Sequence, residues 1–131
     1  GWKKLEDIKI SNEKFKYLLN KKFKLKKIIN YYGLIEQTGS IFFECKKGYF
    51  HTSDYNDILT RDENFQILKN KKKGLVQLLS TIPKSYPGHS ILTEDIGTII
   101  GEDDCKCGIK GKFFKIYGRV KRSEIRGCSN I

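Results

Sequence analysis

Methionine and alanine are both missing from the 131 residues, and the chain carries two prolines and one tryptophan. With no methionine even at position 1, Gly1-Trp2-Lys3 is expected to open a piece excised or processed from a longer chain. No apolar run approaches the ~20 residues needed to cross a bilayer. No basic-then-apolar leader precedes a cleavage site. A soluble, cytoplasmic protein without a membrane span is therefore expected. Arginine is also scarce: only four of the 26 basic residues, at positions 61, 119, 122 and 126.

That scarcity bears on the charge. Twenty-six basic against 15 acidic residues give a net charge of +11, a balance that suits nucleic acid or an anionic surface. Sequence-specific nucleic-acid binders favour arginine, whose planar fork meets phosphate and guanine with two bonds. Abundant Lys, Ile and Asn with no alanine is instead what AT-rich coding imposes on any protein. The lysine runs also lack interleaved exposed aromatics for base stacking. A basic, zinc-stabilised nucleic-acid module using Lys14–Lys27 and Lys69–Lys73 stays as the minor alternative. Hydrophobic residues at 38% and aromatics at 12% exclude a disordered tail and are enough for one core.

Ser11 and Asn12 are N-cap residues, and Glu13 follows where negative charge suits the helix dipole. Phe15, Leu18, Leu19 and Phe23 then fall on one face of a helix over about residues 12–24. The run 27–32 reads as a strand ended by Gly33. Residues 41–45 and 49–52 around Lys46-Lys47-Gly48 read as a hairpin, and 57–60 with 65–68 as another. The lysines at 69–73 read as an exposed turn, and 75–79 as a buried strand. Pro83, Pro87 and Gly88 punctuate a loop. Strands at 90–93 and 97–100 flank Asp95, and 113–120 is the last strand. The class is α+β: one N-terminal helix against a mostly antiparallel, distorted, barrel-like sheet.

Four cysteines and two histidines are the residues with most chemistry. Cys45 and His51 lie on opposite arms of the first hairpin, and Cys105-Lys106-Cys107-Gly108 is a tight pair on a loop. Together Cys45, His51, Cys105 and Cys107 form a three-thiolate, one-imidazole set with the count structural Zn2+ prefers. The spacing is not a familiar finger pattern, and for the four cysteines the plainer alternative is two buried thiols and one exposed pair, with a surface histidine. Cys128 stands apart near Arg122 and Arg126, whose charges raise the thiolate fraction of a nearby thiol.

Three segments in order resemble a known superfamily. Tyr31-Tyr32-Gly33-Leu34-Ile35-Glu36 resembles the aromatic-Gly-x-x-Glu signature of adenylate-forming enzymes. Leu92-Thr93-Glu94-Asp95 resembles their Thr-x-Asp segment, and Gly118-Arg119-Val120-Lys121 their Gly-Arg-x-Lys hinge. Within the superfamily the sequence resembles the acyl-protein synthetase (LuxE-type) family, the long-chain-fatty-acid–luciferin-component ligases. Residues 85–95, the 105–108 loop and Glu124-Ile125-Arg126-Gly127-Cys128-Ser129 carry that likeness. Phenylacetate-CoA-ligase-like enzymes are near cousins that share the Cys-x-Cys-Gly loop.

The resemblance implies a two-step reaction, in which ATP and a fatty acid give an acyl-adenylate and the acyl group passes to a cysteine. Tyr32, with Gly33, would line the adenine pocket, and Glu36 would act in catalysis by helping to hold Mg2+. Asp95 would take the ribose hydroxyls, Arg119 the ribose or a phosphate, and Cys128 the acyl group. An acyl reductase or a carrier protein would take the product onward, and an acyl-CoA ligase fragment is the alternative. The cousins' matching Cys/His positions add support for zinc. The resemblance further implies a single domain, the C-terminal subdomain of the large domain of a longer enzyme. Residues 1–40 would hold the helix, strand and Tyr-Gly-x-x-Glu loop, and 41–131 a β-rich part ending in the hinge. Ile35 replaces a frequent threonine, and the upstream glycine-rich phosphate loop is not in the sequence, so the piece alone is expected to be inactive.

Overall fold

A computed structural model describes residues 10–120. These fall into two compact units, one holding residues 10–28 and the other residues 29–120. The first contains helix α1, Asn12–Phe23. Ser11 caps it by accepting a hydrogen bond from the Lys14 amide at 3.2 Å. Glu13 in the first turn and Lys21 and Lys22 in the last place charges as the helix dipole favours. Lys24, in the left-handed conformation, ends it by donating its amide to the Asn20 carbonyl. None of the helix residues is buried, so the apolar stripe read from the sequence is exposed or half-buried.

The second unit is built from two sheets. β1 (Tyr31–Gly33) and β2 (Ile41–Phe43) form a two-stranded antiparallel sheet. Five strands form the larger one: β3 (Phe50–His51), β4 (Asn56–Arg61), β5 (Lys73–Ser80), β6 (Ser90–Glu102) and β7 (Lys112–Arg119). Their order is β3-β7-β6-β5-β4, all antiparallel. The outer strands β3 and β4 do not pair with each other, so the sheet is open. The α+β class holds and the barrel-like closure does not.

Period-two burial along β4 and β5 buries Ile58 and Thr60, then Val76, Leu78 and Ser80, on one face. Phe42, between exposed Ile41 and Phe43, inserts there and joins Ile58, Val76, Leu78, Ile99 and Phe114 in the core. Each large apolar side chain buried in this way contributes roughly 1.5–3 kcal/mol. Gly97 lets β6 run close to its neighbours: a Cβ there would stand 2.6 Å from Val76 Cγ2 and 2.9 Å from the Lys115 carbonyl.

Several boundaries differ from the sequence reading. The strand expected over 27–32 is confined to Tyr31–Gly33. The first hairpin has its turn, closed by the Glu44–Phe50 bridge and the Cys45 amide on the Tyr49 carbonyl. Its arms then diverge, β2 to β1 and β3 to β7. The second hairpin is short: β4 pairs along its whole length with β5, and its other edge keeps the Arg61–Ile67 bridge, with the Leu68 amide on the Thr60 carbonyl at 2.8 Å and the Asp62 amide on the Gln66 carbonyl at 3.0 Å. The pair of strands flanking Asp95 is one 13-residue strand, β6, whose register slips at Ile96/Gly97 and at Ile99/Gly101. Bulges of this kind break the apolar alternation without ending the strand. The buried strand 75–79 lies within β5 but is buried on one face only.

Candidate functional site

Asp95 and Arg119 are register partners across β6 and β7, beside the Ile96/Gly97 slip. The Arg119 Nε lies 3.8 Å from Asp95 Oδ1, and its Nη1 3.5 Å from Glu94 Oε2. Tyr32 arrives from β1 and donates its hydroxyl to Asp95 Oδ2 at 2.7 Å. Asp95 is itself fixed from below. Thr93, buried, accepts the Asp95 amide at 3.0 Å and donates to the Val76 carbonyl at 2.8 Å. Val76 has no β6 partner because the register slips between Leu75 and Gln77. The β5 irregularity thus supplies the acceptor that orients the Thr93 hydroxyl.

The Tyr32 ring packs against Phe42, Phe50 and Phe114, with centroids 6.1, 6.1 and 6.3 Å away. Burial, and then the Asp95 carboxylate it serves, push the Tyr32 phenol far above its ordinary range. It is therefore a neutral donor at any physiological pH.

Gly33 continues β1, and a Cβ there would meet the Ser40 carbonyl at 3.0 Å. The chain then makes a 3-10 turn over Ile35–Gln37 that carries Glu36, exposed. Gln37, fully buried, donates its side-chain amide to the Gly88 carbonyl at 2.8 Å and to the Leu78 carbonyl at 3.4 Å. Tyr86 adds a second tie by accepting the Thr38 amide. An open groove of about 310 Å3 runs along this loop, lined by Tyr31, Gly33, Leu34, Ile35, Thr38 and Ile41 among others.

A second cluster forms around the turn between β2 and β3 and the loop between β6 and β7. The ligand atoms of Cys45, His51, Cys105 and Cys107 all lie within 4.8 Å of one another. His51 Nε2 is 3.4 Å from the Cys107 sulfur. Backbone amides serve two of the sulfurs: Lys47 N–H to Cys45 at 3.4 Å, and Ile109 N–H to Cys107 at 3.3 Å.

Burial pushes the Cys105 thiol up to about 11. Burial opposes the Cys107 thiolate too, but the Ile109 amide and the neighbouring thiols outweigh it and hold Cys107 below the ordinary value. Burial lowers His51, with the Lys110 backbone in opposition. The His51 Nδ1 atom is buried without a hydrogen bond of good geometry among the described residues. Three sulfurs and an imidazole at this spacing fit a tetrahedral soft-metal site.

The family model for "Acyl-protein synthetase, LuxE" matches residues 1–131. The chain belongs to the LuxE acyl-protein synthetase family. No curated protein and no solved structure gives a significant match. Tyr32, Asp95 and Arg119, which come from the three segments that resemble adenylate-forming motifs, meet in the fold. Gly33 follows Tyr32 at the end of β1, and Glu36 stands on the 3-10 turn beyond it. Cys128, with Arg122 and Arg126, lies outside the described residues. No helix among the described residues is long and apolar enough to cross a membrane.

Two contributors escaped the sequence reading. Thr93 stood inside a quoted motif, yet its hold on Asp95 depends on the β5 register slip, which leaves no mark in β6. Gln37 follows Glu36 directly and reads as a polar loop residue until its amide is seen buried between two carbonyls.

Proposed function

We propose that this chain supplies the adenosine-facing part of an ATP-dependent acyl-protein synthetase. The enzyme activates a fatty acid as its acyl-adenylate and then carries the acyl group as a cysteine thioester. The observation that supports this most is the Tyr32–Asp95–Arg119 cluster, in which three motifs far apart in sequence meet.

In this reading Asp95 accepts both cis hydroxyls of the ribose, which needs no metal. Tyr32 already holds one lone pair of Oδ2, so the carboxylate is aimed before nucleotide arrives. Arg119 offers a planar fork to the ribose or its phosphate. Glu36 helps to hold the Mg2+ that accompanies ATP, whose octahedron phosphate oxygens and water complete. The fatty carboxylate attacks the α-phosphorus, the α–β phosphoanhydride breaks and pyrophosphate leaves. The Cys128 thiolate then attacks the acyl carbonyl, and the acyl–oxygen bond breaks with AMP carrying away the electron pair. An acyl reductase or a carrier protein takes the acyl group onward.

The test uses the longer protein that contains this sequence, incubated with ATP, Mg2+ and a labelled fatty acid. A hydroxylamine-sensitive acyl group on the Cys128 peptide, lost in Cys128→Ser, is the expected result. Pyrophosphate release without that label would move the acceptor to coenzyme A or another thiol. No ATP-dependent chemistry with any acid would overturn the reading.

A further inference from the structure

We infer that Cys45, His51, Cys105 and Cys107 bind one structural Zn2+, which fastens the short edge strand β3 to the β6–β7 loop. Zinc bonds of about 2.0–2.3 Å in a tetrahedron place ligand atoms about 3.5–3.8 Å apart. His51 Nε2 and the Cys107 sulfur already stand at 3.4 Å, and all four ligand atoms lie within 4.8 Å. An inward shift of about an ångström closes the set around an ion.

The two cysteine turns share one construction. Cys45-Lys46-Lys47-Gly48 and Cys105-Lys106-Cys107-Gly108 each close with a glycine amide on the first cysteine carbonyl, at 2.9 and 3.0 Å. Both glycines have positive φ, 77° and 89°, so each turn curls around its sulfurs. In each turn a backbone amide then points at a sulfur, an arrangement that stabilises thiolate more than thiol. With Nε2 as the ligand, the His51 Nδ1 atom carries the ring proton. Three thiolates leave the centre with one net negative charge, and Lys46, Lys47 and Lys106 stand in the same turns.

The fold needs such a clamp at this place. β3 is two residues long and holds β7 through only two register pairs, Phe50–Phe114 and His51–Phe113. An edge strand that short is marginal by itself. Four ligands, two from each side of the junction, supply what the missing ladder does not. A closed set of four protein ligands leaves no position for a substrate, so the ion is structural. This inference stands independently of the acyl-adenylate reading.

The test is elemental analysis of the purified, reduced protein, followed by exchange with Co2+. About one zinc per chain is expected, and the Co2+ form should show sulfur-to-metal charge transfer and the visible bands of a tetrahedral ion. Cys128→Ser should keep that zinc, whereas Cys107→Ser should fall below about 0.2 zinc per chain. Should Cys107→Ser fail to fold, His51→Cys keeps four ligands and should retain zinc with a shifted Co2+ spectrum. A folded protein that holds no metal and takes up no Co2+ would overturn the inference. So would iron at that stoichiometry, or loss of zinc in Cys128→Ser.

Discussion

The hydrogen bond from Tyr32 to Asp95 can be tested by Tyr32→Phe, which removes one oxygen and leaves the ring among Phe42, Phe50 and Phe114. A hydrogen bond to a charged acceptor contributes about 1.5–3 kcal/mol. Asp95 has a side-chain exposure of 14% and Arg119 stands 3.8 Å away, so water and the guanidinium recover part of that loss. A destabilisation of about 1–2 kcal/mol at pH 7 is expected. The pH dependence makes the test sharper. The folded Tyr32 phenol titrates far above its ordinary value, chiefly through burial and then through Asp95. The unfolded chain therefore releases this proton first, and the stabilisation is present in full below about pH 10 and is lost above it. By pH 11 the wild type should have lost about 1.4 kcal/mol that the variant, having no phenol at this position, does not lose. Urea unfolding of both proteins at pH 7 and pH 11 should show the gap between them shrinking to near zero. Every other titrating group is shared and cancels in the difference. A gap that stays constant with pH, or one below about 0.3 kcal/mol at pH 7, would refute the reasoning.

Other perturbations follow from the same geometry. Asp95→Asn keeps an acceptor for Tyr32 but loses the charge facing Arg119; on the proposed ribose contact, AMP affinity of the longer protein should fall about 10- to 100-fold by calorimetry. Gln37→Leu leaves the Gly88 carbonyl buried without its 2.8 Å donor, a cost of about 1–3 kcal/mol visible as a lower midpoint in thermal unfolding. Gly97→Ala places a methyl 2.6 Å from Val76 Cγ2 and 2.9 Å from the Lys115 carbonyl, and should destabilise by about 1–3 kcal/mol in urea unfolding.

Local chemistry was legible where a single element decided the outcome. The Ser11 cap and the start of α1 followed from side-chain capping and charge order, and β5 and β7 lay within about two residues of expectation. What was hidden was partner choice. Phe65 to Leu68 have strand-forming residues and do meet the outer edge of β4, but only through the Arg61–Ile67 bridge and the two hydrogen bonds beside it, whereas the inner edge makes six register pairs with β5. The break read around Asp95 was a bulged strand, because Glu94 and Asp95 interrupt an alternation that the register slip absorbs. At the site, the motif residues Tyr32, Asp95 and Arg119 converged. Thr93 and Gln37 act through backbone carbonyls, which a sequence does not display.

The Cys/His cluster and the Tyr32–Asp95 pair are linked by β7. His51 stacks on Phe113 at 5.7 Å, and Phe113 is followed by Phe114, whose ring meets Phe42, Phe50 and Tyr32. Further along the same strand Arg119 faces Asp95. Loosening the Cys/His turns would therefore release β3 first, and with it Phe50, one of the three rings that hold Tyr32. The effect should be a loss of ring packing rather than of charge. Chelation is expected to weaken the Tyr32–Asp95 contribution to stability while leaving the Arg119–Asp95 register intact. A double-mutant cycle combining Cys107→Ser with Tyr32→Phe reads this directly. Coupling of about 0.5 kcal/mol or more, with the double variant less destabilised than the sum, is the expected sign. Strict additivity would mean that the two clusters stabilise the sheet separately and that the Phe113–Phe114 bridge transmits nothing between them.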